Sequence, residues 1–104
     1  MSSEKITLYV GLNDQKKRVQ LISTVEAFKI VQNILVNTCG GGTVYECTGI
    51  YKHENGEIII EKSLRIEIFG ADVADVNEAA RLIKIALNQE SVIMQREIVD
   101  SISI

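Results

Sequence analysis

The fold is decided by residues 43–69, TVYECTGIYKHENGEIIIEKSLRIEIF, in which Asn55-Gly56 separates two β-rich runs. Asn-Gly between such runs is the strongest short signal for a β-hairpin, because both central residues of a type I′ turn need a positive φ. The sequence therefore predicts strands over 43–52 and 57–69, joined by a two-residue turn at Asn55 and Gly56.

A two-residue turn also predicts which residues face each other across the hairpin. It places Tyr45 opposite Ile66 and Cys47 opposite Leu64 on one apolar face, and it places Glu46 opposite Arg65 on the other face as a pair of opposite charge. Since side chains alternate along a strand, a slip of one residue would exchange the faces of one strand relative to the other. We therefore expect this register to define both faces of the hairpin.

The flanking sequence predicts two helices and two further strands. Residues 5–12 alternate between apolar and polar as a strand does. Ser23-Thr24-Val25-Glu26 forms a capping box ahead of a helix that ends at Gly40, and Asp72 caps a second helix before a fourth strand over 91–98. The order β-α-β-β-α-β predicts an α+β fold of the ferredoxin-like kind, with an antiparallel sheet and two helices on one face.

Composition narrows the class of protein. The chain has 104 residues, 46% of them hydrophobic, and a net charge of −3, so we expect one α+β domain over 1–104 that binds no nucleic acid. No apolar run has the length of a membrane span, and the first residues do not resemble a signal peptide, so we expect a cytoplasmic protein without a membrane partner. The two cysteines are too few for a disulfide framework.

No set of residues predicts a catalytic centre. His53, the single histidine, lies beside the hairpin turn, and no second histidine suggests a zinc site. Cys47 is expected to be a small buried residue, and Cys39 has no identifiable cationic neighbour to activate it. The run Lys16-Lys17-Arg18 either contacts an anionic group or is a solvated loop. We therefore predict no catalytic residue, no metal ligand and no cofactor.

The face of the sheet away from the helices is the candidate functional surface. In the expected register it carries seven residues that we predict to bind a ligand or form an interface: Tyr9, Val44, Glu46, Ile50, Ile59, Glu61 and Arg65. Three interpretations stay open. The face is solvated and carries routine ion pairs, or its apolar members associate with another copy of the chain, or Tyr9, Glu61 and Arg65 bind a small molecule.

Several short segments resemble a small bacterial domain family of unknown function. They are Leu8–Leu12 (LYVGL), Gly42-Thr43-Val44, Gly49-Ile50-Tyr51, then Glu61 and Ser63, and finally Gln89–Val92 (QESV), and together they spread over about residues 6–95. The chain departs from the family at Tyr51, where the family tends to carry tryptophan, and at Gly40–Gly42, where it tends to carry proline and phenylalanine. The resemblance implies the same architecture and no particular activity.

These observations favour a non-enzymatic homo-oligomer that binds a small molecule or a protein partner through its open sheet face. The alternative is an enzyme, or a degraded enzyme, of the dimeric α+β-barrel type. In that alternative the substrate pocket would lie between the sheet and the helices.

Overall fold

The computed structural model describes residues 2–104, which form four strands and two helices. In chain order these are β1 (Ser2–Gly11), α1 (Thr24–Thr38), β2 (Thr43–Lys52), β3 (Ile58–Phe69), α2 (Val73–Ala86) and β4 (Ile93–Asp100). The strands form one antiparallel sheet in the order β2-β3-β1-β4. The predicted ferredoxin-like βαββαβ fold is confirmed.

Both helices begin where the sequence predicts. The Ser23 hydroxyl accepts a hydrogen bond from the backbone N–H of Glu26 (3.2 Å), and the Asp72 carboxylate accepts one from Ala74 N–H (3.0 Å). Each bond satisfies a backbone donor that the first helical turn leaves without an intrahelical partner. The helices then bury one face each, α1 through Ala27, Val31 and Leu35.

The core lies between the helices and one face of the sheet. Even-numbered residues of β1 and β3 supply the sheet side, and Val76, Ala79 and Ile83 of α2 complete it. The residues of β1 and β3 in this core are Ile6, Leu8, Val10, Leu64, Ile66 and Ile68. Because side chains alternate, the odd-numbered residues of the strands lie on the opposite face, which no helix covers and which we call the open face.

The predicted register of the hairpin is wrong by one residue. Tyr45 faces Arg65, Cys47 faces Ser63, and Tyr51 faces Ile59. The connecting loop has three residues, since His53 and Glu57 close it through the hydrogen bond from His53 N–H to Glu57 O (2.8 Å). A type I′ turn needs two positive φ angles, but only Gly56 has one here (+87°), and this is the geometry of a three-residue hairpin loop.

The corrected register moves three predicted site residues to the other side of the sheet. Val44, Glu46 and Ile50 lie on the helix face, where Val44 packs against the core and Glu46 borders a shallow groove beside α1. The expected Glu46–Arg65 pair does not form. Arg65 stacks instead on the ring of its cross-strand neighbour Tyr45, with 4.5 Å between the guanidinium carbon and the ring centroid.

The last strand is shifted relative to its expected range. β4 begins at Ile93 rather than 91 and continues to Asp100, where it pairs with the start of β1. Residues 101–104 follow without regular structure, and the apolar side chains of Ile102 and Ile104 are exposed. Within residues 2–104, neither helix has the length and hydropathy needed to span a membrane.

Candidate functional site

A cleft of about 720 Å³ occupies one end of the open face, next to the β2–β3 hairpin. Its floor consists of short side chains from the three central positions Gly11, Cys47 and Ser63. Larger side chains border this floor: Tyr51 and Ile59 towards the hairpin tip, and Tyr9 and Arg65 towards the middle of the sheet. The β1–α1 loop and the segment after α2 close the remaining side through Asn13, Asp14, Gln15, Arg18, Gln89, Glu90 and Ser91.

Glu61 is held in this cleft by glycine and by a backbone donor. Its Oε2 accepts a hydrogen bond from Asn13 N–H (3.0 Å). Its carboxylate lies against Gly11, where a Cβ would come within 2.6 Å of Oε1, and its cross-strand partner is Gly49. The absence of side chains at these two positions lets the carboxylate lie flat on the sheet. Glu61 thus presents a fixed, half-buried acceptor to any molecule in the cleft.

The β1–α1 loop that borders the cleft is built around Asp14. The Asp14 carboxylate accepts hydrogen bonds from the backbone N–H groups of Lys16 (3.0 Å) and Lys17 (2.9 Å) and from the side chain of Asn88. The Lys17 bond, followed by the Asn88 bond, lowers the pKa of Asp14 below its ordinary value. Gln89 fastens the loop to the end of α2, donating from Nε2 to Asn13 O (2.8 Å). Hydrogen bonds within the chain therefore hold this wall of the cleft in place without a ligand.

The charged side chains in the middle of the open face are paired with one another around Glu67. Glu67 accepts hydrogen bonds from Tyr45 Oη (3.0 Å) and Arg65 Nη2 (2.9 Å), and it lies 3.6 Å from Lys5 Nζ. Burial is the largest single influence on Glu67 and opposes its ionisation. The Tyr45 hydrogen bond and the two cations outweigh that penalty, so the pKa of Glu67 lies below its ordinary value.

One side-chain donor of Arg65 has no partner in the described part of the chain. Its Nε is buried and has no hydrogen-bond partner within the described residues. The charge of the guanidinium, however, is already balanced by Glu67. Arg65 is therefore poorly suited to bind an anion in the cleft.

The structure brings together four of the seven predicted site residues. Tyr9, Ile59, Glu61 and Arg65 line the cleft. The other three, Val44, Glu46 and Ile50, lie on the opposite face because the observed register of β2 differs from the expected one by one residue. Ligand or interface binding by any of the seven stays a prediction.

Sequence reasoning missed the other residues of the cleft. In the expected register, Gly49 and Tyr51 lie on the helix face and so outside the cleft. Arg18 and His53 lie in separate loops, and no local pattern in the sequence indicates that these loops meet. A signal was nevertheless present, because the segments that carry the family resemblance contribute Gly11, Gly49, Tyr51, Glu61, Ser63, Gln89, Glu90 and Ser91 to this one cleft.

Among residues 2–104, the space between the sheet and the helices, where the enzyme alternative places its substrate pocket, is a packed core. Leu8, Leu64 and Ile83 fill it with fully buried aliphatic side chains. The predicted position of a substrate pocket in that alternative is therefore wrong. The described residues 2–104 also contain no group of three or more histidine, cysteine or carboxylate side chains able to hold a metal ion.

Comparison with known proteins identifies the fold and not a family. No family model matches the chain, and no curated protein is significantly similar to it. Among solved structures, a phage SAM lyase in complex with S-methyl-5′-thioadenosine is 22% identical, with 91% of this chain and 80% of that chain covered and a TM-score of 0.65.

Two other solved structures with a similar fold are a divalent ion tolerance protein and a GlnK protein. The divalent ion tolerance protein CutA1 from Ehrlichia chaffeensis is 14% identical, covering 97% of this chain and 86% of that chain with a TM-score of 0.60. The GlnK–ATP complex of B. subtilis is 16% identical, covering 92% and 82% with a TM-score of 0.56. The chain is accordingly a small ferredoxin-like α+β domain similar in fold to CutA1 and GlnK.

Proposed function

We propose that this chain is a homo-oligomeric domain that binds a small molecule in the cleft on its open face. The observation that carries the proposal is the position of Glu61, an acceptor fixed by Asn13 N–H and by Gly11 in the floor of the cleft. Small-molecule sites are concave, have volumes of roughly 300–1,000 Å³ and combine apolar walls with a few placed polar groups. The cleft, at about 720 Å³, fits that description.

The chemistry of the cleft favours a ligand with a planar ring and hydrogen-bond donors. Tyr9 and Tyr51 lie on either side of the floor of the cleft, and the side-chain oxygens of Glu61 accept hydrogen bonds from hydroxyl or amino groups. A nucleoside has both features. Two neighbours of the same fold were solved with adenosine derivatives, S-methyl-5′-thioadenosine and ATP, and this supports adenosine compounds as the first probes.

Self-association is proposed through the outer half of the β2–β3 hairpin. This half extends past the helices, so that Ile50, Ile58 and Ile60 on the helix face are 70%, 66% and 66% exposed. Tyr51 is exposed on the other face of the same hairpin. An apolar surface on both sides of one projecting element is typical of a protein–protein contact. We propose that a second copy of the chain covers this surface, in place of the open sheet face through which the sequence analysis expects the chain to associate.

Light scattering coupled to size exclusion tests the assembly. The wild-type chain is expected to elute at a multiple of 11.5 kDa at micromolar concentration, and Ile60→Glu is expected to release monomers. Ile98→Glu, at an exposed position on β4, is the matched control and is expected to leave the assembly intact. A monomeric wild-type chain would contradict the proposed oligomer.

Amide chemical shifts test the ligand site. Adenosine and S-methyl-5′-thioadenosine are expected to shift the resonances of Gly11, Asn13 and Gly49, and Glu61→Gln is expected to weaken those shifts because it halves the acceptor capacity of the carboxylate. Glu46→Gln, which makes the same change on the opposite face, is the control. Shifts confined to other surfaces would refute the cleft as the site.

An enzyme is the second candidate, favoured by one observation. The cleft combines a carboxylate, Glu61, with the phenol of Tyr51, and a neighbour of the same fold is a SAM lyase. Incubation with S-adenosylmethionine followed by chromatography separates the two candidates. Formation of S-methyl-5′-thioadenosine that is lost in Glu61→Gln supports the enzyme, whereas unchanged substrate supports the binding domain.

A further inference from the structure

Arg18 occupies an unusual backbone conformation at the hairpin end of the cleft. Its φ is +60°, in the left-handed region that non-glycine residues rarely adopt. The Asp14-centred turn imposes this conformation, since Arg18 N–H donates to Asp14 O (2.8 Å). The result is that the guanidinium reaches across to the hairpin, where Nη1 donates to Nε2 of His53 (2.8 Å).

His53 is itself held in place. Its ring meets the ring of Tyr51 edge-on, with 5.8 Å between the centroids. Because a guanidinium N–H can only donate, His53 Nε2 is the acceptor in this contact. Two loops that are 35 residues apart in sequence are thus joined by one contact at the edge of the cleft.

The charge of Arg18 is not balanced by a carboxylate. None of the ion pairs formed within residues 2–104 includes Arg18, and the nearby Asp14 carboxylate is already engaged by two backbone N–H groups and Asn88. This distinguishes Arg18 from Arg65, which Glu67 neutralises. Arg18 is therefore the arginine of the cleft that is suited to receive an anion.

We propose that Arg18, oriented by His53, binds the phosphate groups of a nucleoside polyphosphate whose nucleoside part lies at Glu61. The inference rests on the proposed function of the cleft and names the class of its ligand. A guanidinium presents a planar fork of N–H donors that matches phosphate oxygens, and one of its five donors is used by His53. Arg18 is the binding residue, and His53 is a positioning residue that acts through it.

The length of the site favours a chain of phosphates. His53 lies four residues from Gly49, the cross-strand partner of Glu61, and at about 3.3 Å per residue this places them roughly 13 Å apart along β2. From a nucleoside held at Glu61, a diphosphate or triphosphate extends further towards the hairpin end of the cleft than a single phosphate does. Lys16 and Lys17 in the same loop add attraction at longer range, which salt screens.

Titration calorimetry with three probes tests the proposal: ATP, adenosine and inorganic tripolyphosphate. ATP is expected to bind more tightly than adenosine. Arg18→Gly is expected to weaken ATP binding by about tenfold or more, as loss of hydrogen bonds to a charged group implies, and to leave adenosine binding unchanged. Glycine adopts a φ of +60° without strain, so this variant keeps the loop conformation. Lys29→Gln, at an exposed position of α1 outside the cleft, serves as the control for lost charge.

His53→Gln tests the positioning role. It is expected to reduce ATP affinity less than Arg18→Gly does, and to have no further effect in the Arg18→Gly background, because His53 acts only through the guanidinium. Equal, additive losses from the two substitutions would show that His53 does not act through Arg18.

The outcomes separate this inference from the proposed function. If adenosine binds the cleft but ATP binds no more tightly and Arg18→Gly has no effect, the phosphate subsite is wrong and the nucleoside site stands. If Lys29→Gln weakens ATP binding as much as Arg18→Gly does, the attraction is general charge and the subsite is again wrong. If none of the three probes binds, both proposals fall.

Discussion

Replacing Gly11 by alanine is expected to displace the Glu61 carboxylate while the fold persists. A Cβ at position 11 would lie 2.6 Å from Oε1, and ordinary contact begins at 3.4 Å, so the carboxylate must move by about 0.8 Å. The atoms that the new Cβ would meet belong to the end of a side chain and not to the backbone. The strand can therefore remain in place while Glu61 rotates away from Asn13 N–H.

The net change in stability is expected to be small because two effects oppose each other. Loss of the 3.0 Å hydrogen bond from Asn13 N–H to the half-exposed carboxylate costs about 1 to 1.5 kcal/mol. Alanine in a strand interior recovers roughly 0.5 to 1 kcal/mol relative to glycine, since it restricts the unfolded chain. The free energy of unfolding should then fall by no more than about 1 kcal/mol, while nucleoside binding at Glu61 is lost.

A double-mutant cycle with Glu61→Ala isolates the proposed contact. Without the carboxylate, Gly11→Ala is expected to be neutral or stabilising, so the coupling energy between the two positions should be about 1 kcal/mol. Denaturant unfolding measures the four free energies, and calorimetry with adenosine reports the site. Gly11→Ala that costs the same stability in both backgrounds would refute the argument, because backbone strain and not Glu61 would then be the cause.

Three further predictions concern the fold. Leu64→Ala, at a fully buried position, is expected to lower the free energy of unfolding by about 2 to 5 kcal/mol, whereas Ile60→Ala on the same strand face should change it by about 0.5 kcal/mol or less because Ile60 is exposed. Urea unfolding of the two variants, at a concentration where assembly does not contribute, measures both effects. A larger loss for Ile60→Ala than for Leu64→Ala would contradict the fold. In a Cys39→Ser background, Ser63→Cys is expected to form a disulfide with Cys47 on mild oxidation because the two residues face each other, and Leu64→Cys is not. Mass spectrometry that finds the disulfide only in Leu64→Cys would instead support the register of the two-residue turn. The pKa of Glu67 is lower in the folded chain than in the unfolded one, so Glu67 contributes stability above its ordinary pKa and loses it as the pH falls through the lowered value. Glu67→Gln should therefore flatten the loss of thermal stability below the ordinary pKa of glutamate, and an unchanged acid limb would contradict the network.

The elements of the fold were predictable because each depends on local chemistry. Ser23 and Asp72 cap helices through hydrogen bonds to residues two or three positions ahead, and these bonds form as the sequence pattern predicts. Alternation in β1 likewise placed Leu8 and Val10 in the core. Such signals need only the order of residues along a few turns or strand positions.

The hairpin register was not predictable from the same kind of signal. Asn55-Gly56 supports either a two-residue turn or the second half of a three-residue loop that begins at Glu54. The first needs a positive φ at Asn55 as well as at Gly56, whereas only Gly56 has one here. The pairing decides which face of β2 joins Leu64 and Ile66 beneath the helices, and the structure places Val44 there, opposite Ile66. The choice moved Val44, Glu46 and Ile50 away from the site and brought Gly49 and Tyr51 into it.

By itself, the order of residues determined the element types, the ferredoxin-like topology and the apolar core, because caps, periodicity and chain handedness act over short distances. Only the tertiary structure decided which side chains share the cleft. Glu61 meets Asn13 across 48 positions and Arg18 meets His53 across 35, and contacts of that separation exist only once the packed sheet has brought distant loops to the same edge.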